Sequence, residues 1–125
     1  NEFEAIGHVE QRWKCKARKL PMQYRFDFGL FRGEKMAAVA EVKTRGVRHD
    51  QYRTIIISLS KWQCARSFIE LGLSAFFVFQ FIDGVFWHKI QGPYEVQHGG
   101  RKDRGNWQDV EPVIHIPVSS LTRLV

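Results

Sequence analysis

The sequence predicts an α/β protein, one domain in which a β-sheet is flanked by helices. Three observations carry that expectation. A chain of 125 residues with 44% hydrophobic content, ten Phe and four Trp is excluded from the disordered class and can bury a single core, though not two. Stretches with apolar residues at helical spacing are interleaved with stretches of period-two or continuous apolar character. The longest apolar run, Leu73 to Ile82, is too short to cross a bilayer and reads as a strand buried on both faces.

Residues 2–19 read as an amphipathic helix, with Phe3, Ile6, Trp13 and Ala17 on one stripe and Val9 at its edge. Glu10 falls in the middle of that stripe, Glu2 at its edge and Glu4 well away. A carboxylate on a core-facing stripe is costly unless it is paired or holds a metal. The basic run Arg12, Lys14, Lys16, Arg18 and Lys19 reads as a solvated face, with contact to a polyanion as the alternative. Leu20-Pro21 stops the helix.

Gln23–Phe31 is expected as a first strand, with Phe26, Phe28 and Leu30 facing away from Asp27. Met36–Thr44 is the second strand, its Ala38, Ala40 and Val42 packing behind. A three-residue turn over Gly33–Lys35 would pair Arg32 with Met36 and so set Asp27 opposite Glu41. Glu41 and Lys43 share a face, since strand side chains alternate. Asp27, Glu41 and Lys43 then converge. Opposed like charges destabilise a sheet, and a bound divalent cation is the usual reason to tolerate them. Such a trio has the ligand pattern of a Mg²⁺-dependent phosphodiesterase.

Arg45–Tyr52 reads as a polar loop that gathers Arg45, Arg48, His49, Tyr52 and Arg53, suited to holding phosphates or stacking a base. Thr54–Ser58 is a short buried extended piece. A helix follows from about Lys61 to Leu71, with Ser60 and Gln63 as a capping box. Ser74–Ile82 and Val85–Ile90 form a hairpin turning at Asp83-Gly84. His88, with no acid or nucleophile beside it in sequence, reads as structural or surface. Gly99–Gly105, with Arg101, Lys102 and Arg104, is expected as a loop that meets a nucleic-acid backbone. Val113–Val118 is a last strand, followed by a turn at Ser119-Ser120.

A formal net charge of +6, from nineteen Lys and Arg against thirteen Asp and Glu, suits a polyanionic partner because neutralising phosphates releases counterions. Cys15 and Cys64 fall in expected helices, have no zinc-ligand spacing and read as reduced thiols. With no leader-like stretch at the start, an intracellular protein without membrane attachment is expected.

On Asp27 and Glu41-Val42-Lys43 the chain resembles the PD-(D/E)xK nucleases, over roughly residues 1–92. It departs from the written motif at Phe26, where the proline would stand. The resemblance implies a restriction-endonuclease-like core, with a central mixed β-sheet flanked by helices in αβββαβ order and one nuclease domain over residues 1–125. It implies Mg²⁺ or Mn²⁺ held by Asp27, Glu41 and the Val42 carbonyl, with a further glutamate from the first helix. Glu10 is favoured for that role, and Glu4 and Glu2 stay open. Lys43 and Lys61 would act at the scissile phosphate, with Gln63 beside them. Arg45, Arg48, Arg53, Arg101, Lys102 and Arg104 would contact DNA. The short layout is similar to phage and virus-type replication–repair nucleases and Holliday-junction resolvases, which act on DNA structure and, for resolvases, as homodimers. A DNA-binding module that has lost catalysis, or a structural protein of the same fold, is the alternative.

Overall fold

In the computed structural model residues 2–100 and 110–125 are described. Helix α1 (Glu2–Trp13) buries Ala5, Ile6 and Val9, with Glu2 and Glu4 in its first turn and Arg12 in its last, as the helix dipole favours. It ends six residues earlier than expected, because Lys14 turns left-handed at φ 52°. Lys16–Lys19 is instead strand β1, antiparallel to β2 (Phe28–Arg32). Pairing satisfies the backbone of β2, and cation–π contacts favour it: Arg18 lies 4.8 Å from the Phe31 ring and Lys19 4.9 Å from that of Phe28. The basic run therefore lines an edge strand, where lysines oppose further strand addition. Cys15 consequently lies between helix and strand, not in a helix.

The first expected strand is also shorter. Met22–Tyr24 forms a 3-10 turn and Arg25 is left-handed at φ 57°, so extended pairing begins only at Phe28. Strand β3 (Lys35–Thr44) follows a two-residue turn in which Gly33, at φ 62°, takes the left-handed geometry that glycine adopts without strain. The turn is one residue tighter than expected, and a bulge at Ala37 restores the difference. Phe28 therefore pairs with Ala40, and one step further sets Asp27 against Glu41.

Strand β4 (Thr54–Ser58) leads into α2 (Leu59–Glu70). The helix is capped by Ser58, whose Oγ accepts from the Ser60 N–H at 3.3 Å, so the Ser60–Gln63 capping box does not form. Strands β5 (Ser74–Phe81) and β6 (Gly84–Lys89) make the expected hairpin. Strand β7 (Val96–Gly100) takes in Gly99 and Gly100, which read as loop, and pairs with β8 (Val110–Pro117). A 3-10 turn over Val118–Ser120 and the short β9 (Thr122–Arg123) finish the chain.

The central sheet is mixed, ordered β1-β2-β3-β5-β6-β9, with β3 and β5 parallel. A second, antiparallel sheet runs β4-β8-β7. The mixed sheet and flanking helices agree with a restriction-endonuclease-like α/β fold. The element order, with four strands between the helices and five after them, is richer than the expected one. Helix α1 covers one face of the central sheet over Phe28, Leu30, Ala40, Val42 and Val78. Helix α2 and the second sheet cover the other over Val39, Phe68, Phe77, Phe79, Ile57 and Ile114. Two core clusters thus stand where the length led us to expect one, and β5 has apolar side chains on both faces because both are covered. Phe26 joins the α2-side cluster, away from Phe28 and Leu30, since residues 25–27 lie outside the strand.

Candidate active site

The α2-side face of β3 carries Glu41 and Lys43, and the segment entering β2 brings Asp27 to them. The Asp27 N–H donates to Glu41 Oε1 at 3.1 Å, and the Val42 N–H donates to Asp27 Oδ2 at 2.8 Å. One oxygen of each carboxylate is thereby fixed by the backbone of the other's strand. The second oxygens face lysines. Glu41 Oε2 lies 3.3 Å from Lys43 Nζ and 3.0 Å from Lys61 Nζ, and Asp27 Oδ1 lies 3.4 Å from Lys19 Nζ. Glu41 is only 4% exposed, yet its charge is balanced by two ammonium groups.

Lys61 reaches the site from the first turn of α2. Its Nζ also donates to the Arg25 carbonyl at 2.7 Å. That bond, with the Cys64 thiol donating to the Tyr24 carbonyl at 3.1 Å, braces the left-handed Arg25, a conformation that costs a non-glycine residue about 1–2 kcal/mol. Burial pushes the Cys64 thiol above its ordinary pKa, although Lys61 and Arg25 pull the other way, so it is a structural donor and not an activated nucleophile.

The structure brings Asp27, Glu41, Val42, Lys43 and Lys61 together and leaves Glu10 out. Glu10 Oε2 accepts the Ala17 N–H at 2.8 Å, near the hairpin end of β1. Ala17 pairs with Leu30, three residues from Asp27 and roughly 10 Å along the strand. Another first-helix acid, Glu2, shares a lysine with Asp27: its Oε1 lies 2.8 Å from the Lys19 Nζ that also meets Asp27. Burial of Lys19 opposes its charge, but Glu2 and Asp27 together raise its pKa above the ordinary value. Sequence reasoning set Glu10 in the middle of the stripe by counting Phe3 as core. Phe3 is 61% exposed, and the stripe runs through Ala5, Ile6 and Val9, on which Glu2 sits. The small Ala5 was the missed signal.

Among the residues expected to contact DNA, Arg45 is spent on the backbone: it donates to the Thr44 and Ile56 carbonyls at 3.2 and 3.3 Å, and burial lowers its pKa. Arg48 lies 3.5 Å from Asp83 and 3.7 Å from Asp50. Arg53 is exposed, with no side-chain partner among the described residues. Gln63 is exposed on the opposite side of α2 from Lys61 and does not join the site. Arg101, Lys102 and Arg104 lie outside the described residues.

A second polar group, not flagged by the sequence, joins His49, Asp50 and Asp83, whose ligand atoms lie within 4.8 Å of one another. These donors could hold a metal, but Arg48 already pairs with both acids. The Asp83 carboxylate accepts from His49 at Nδ1 (2.6 Å) and at the backbone N–H (2.9 Å), which ties the loop after β3 to the β5–β6 turn. Burial alone would raise the Asp83 pKa; the His49 bonds outweigh it and hold it down from 3.8 to about 2. A depressed carboxyl stabilises the fold above its unfolded pKa and loses that contribution as pH falls through the folded one. Between about pH 4 and 2, therefore, thermal melts should show wild type losing stability more steeply than Asp83→Asn. An identical acid limb in both would remove Asp83 as the cause.

His88 is buried, hydrogen-bonded to Tyr94 Oη at 2.7 Å and Ser120 Oγ at 3.0 Å, and burial lowers its pKa. It fastens the C-terminal turn to β6 and is structural. Among the described residues no helix is long and apolar enough to cross a membrane.

No curated protein and no solved structure matches the chain. One family model does, and it spans residues 1–124, so that both sheets and both helices fall within the match along with Asp27, Glu41, Lys43 and Lys61. On that near-complete coverage the chain belongs to the family described as "Phage putative PDDEXK endonuclease".

Proposed function

We propose that the protein is a divalent-metal-dependent DNA endonuclease, with Asp27 and Glu41 as metal ligands and Lys43 and Lys61 as the cations at the scissile phosphate. The observation that carries this reading is the division of labour between the carboxylate oxygens. Asp27 Oδ2 and Glu41 Oε1 are oriented by backbone N–H groups, while among the described residues Asp27 Oδ1 and Glu41 Oε2 meet only lysine ammonium groups, which can swing away. Two preoriented hard oxygens with exchangeable partners fit Mg²⁺ or Mn²⁺. The Val42 carbonyl is a further candidate donor, and Glu2, rather than Glu10, is the first-helix candidate.

A bound divalent cation supplies a lowered water pKa and polarisation of a phosphate oxygen. The protein's own groups do the rest. Asp27 and Glu41 fix the site's position on the sheet. Lys43, released from Glu41, donates to the attacking water or to the oxygen that gains charge, and Lys61 donates to a neighbouring phosphate oxygen. The basic surface holds the strand. Selection of DNA by structure, in replication, repair or recombination, is the reading we favour. A homodimer would follow if paired cuts are made.

The test is cleavage of labelled single-stranded, duplex, flap, splayed and four-way-junction DNA with and without Mg²⁺ or Mn²⁺. Wild type should cut at least one substrate only with metal, and Lys43→Ala should lose about 10²–10³-fold in rate. Glu2→Gln should slow cutting severalfold, and Glu10→Gln should leave it near wild type. Metal-independent activity in the Lys43→Ala protein would remove the proposed mechanism, and the reverse order for the two glutamates would return the first-helix role to Glu10.

A further inference from the structure

Beyond the candidate active site, a cavity of about 380 Å³ opens where the chain leaves β3. Its volume is at the low end of the range of about 300–1,000 Å³ for small-molecule sites. Ile55, Phe81 and Val118 line it with apolar surface, and Arg45 and Arg48 stand in its wall with Tyr52. Arg45 is two residues beyond Lys43, about 7 Å along an extended chain. The cavity is therefore within reach of the nucleotide next to a phosphate held by Lys43 and Lys61.

Two features of its wall lack an internal explanation. Tyr52 is 64% exposed, with no ring or hydrogen-bond partner among the described residues. Ile56 is 46% exposed in the middle of β4, with its side chain turned out of the core. Arg45 is held by carbonyls and Arg48 is shared with Asp50 and Asp83, so the cation next to Tyr52 in sequence with no side-chain partner among the described residues is Arg53. An exposed ring beside an open apolar recess, with that arginine next to it in sequence, matches a ligand with a flat apolar body and an anionic tail. The whole chain has the complementary sign, at +6.

We propose that this cavity receives one unpaired nucleobase of the DNA strand being cut, stacked on Tyr52, with its phosphate near Arg53. This inference rests on the nuclease reading and deepens it by naming what in the DNA is selected. A base in a continuous duplex reaches such a recess only by leaving its stack and its partner. That costs energy, least at bulges, mismatches and single-stranded flanks. The pocket thereby discriminates DNA structure without reading sequence, since every base offers a π-face.

The experiment uses the full chain and synthetic DNA carrying 2-aminopurine, whose emission responds to stacking, in EDTA so that no cutting occurs. Three DNAs are compared: a single strand, a duplex with the probe as a one-nucleotide bulge, and the same duplex with the probe paired. Wild type should give a saturable emission change with the first two and none with the third. Tyr52→Ala should weaken that binding about five- to 150-fold, the range expected for loss of one base–aromatic stack. Ile56→Trp, which fills the cavity, should abolish the signal. Circular dichroism melts of both variants establish that they fold. No saturable change with wild type, or a change kept within twofold by both folded variants, overturns the pocket. Metal-dependent cutting without the emission change leaves the nuclease standing and removes the pocket. The emission change without cutting of any DNA keeps the pocket as a strand-binding site and removes the nuclease.

Discussion

Glu41→Gln should reduce metal-dependent cleavage by at least about 10²–10³-fold while the protein stays folded. The substitution is nearly isosteric, and an amide oxygen can still accept the Asp27 N–H that now binds Oε1 at 3.1 Å. What disappears is the charge. Glutamine is a poor ligand for a hard dication beside one remaining carboxylate. Lys43 and Lys61, now 3.3 and 3.0 Å from Glu41 Oε2, are left facing each other without an anion between them. Breaking a fully buried ion pair by removing one partner costs about 3–5 kcal/mol. Both lysine side chains are about a quarter exposed and can turn to water, so roughly 1–2 kcal/mol is expected here, a fall of several degrees in Tm. Single-turnover cleavage at saturating Mg²⁺, run beside a thermal melt, separates the two effects. Cutting within tenfold of wild type would remove Glu41 from the metal site.

The same geometry answers a question raised by the sequence, namely why two acids should face each other on adjacent strands. A divalent cation was the expected reason. In the fold, Lys19, Lys43 and Lys61 already neutralise the pair, and two backbone N–H groups orient it. The Asp27–Glu41 register was legible because period-two alternation and a short turn leave few alternatives. The expected turn was a residue too long, but the bulge at Ala37 returned Asp27 to the same partner. Lys61 was legible from its place at the start of the helix after Glu41-Val42-Lys43.

That Glu2, and not Glu10, shares a lysine with Asp27 was not legible, for two linked reasons. Lys14 to Lys19 has no proline or glycine to mark the end of a helix, and its strand character exists only through pairing with β2, whose residues lie nine to fifteen positions further along the chain. Phe3 outweighed Ala5 in phasing the stripe, although burial followed packing space and not side-chain size. The second sheet was hidden for a similar reason. Strand β7 contains two adjacent glycines, poor strand formers by composition, which pair because Glu111 and Val110 lie opposite. The His49–Asp83 contact joins residues 34 apart, beyond any local pattern.

Phe77→Ala should be among the most damaging core changes, and it should affect the chemistry as well as the fold. Phe77 has no exposed surface and lies beside Glu41 in the parallel β3–β5 register. Truncating a buried phenylalanine costs about 3–5 kcal/mol, through lost transfer energy and the cavity left behind. For a domain of this size that is a drop of roughly 10–20 °C in Tm, whereas Ile82→Ser, at a position 70% exposed, should change stability by no more than about 0.5 kcal/mol. The functional consequence runs through Phe26. Its ring packs 6.3 Å from Phe77 and 5.7 Å from Phe68, and it immediately precedes Asp27. A cavity under Phe26 lets that segment shift, and a displacement of about 1 Å at a reacting group can cost about 10²-fold. Cleavage measured well below the variant's Tm should therefore fall about tenfold or more, beyond what its unfolded fraction explains. If folded Phe77→Ala cuts at the wild-type rate, Asp27 is placed instead by its polar bonds, the Leu20 N–H on its carbonyl at 2.9 Å and the Val42 N–H on its carboxylate at 2.8 Å, and the aromatic layer serves stability alone.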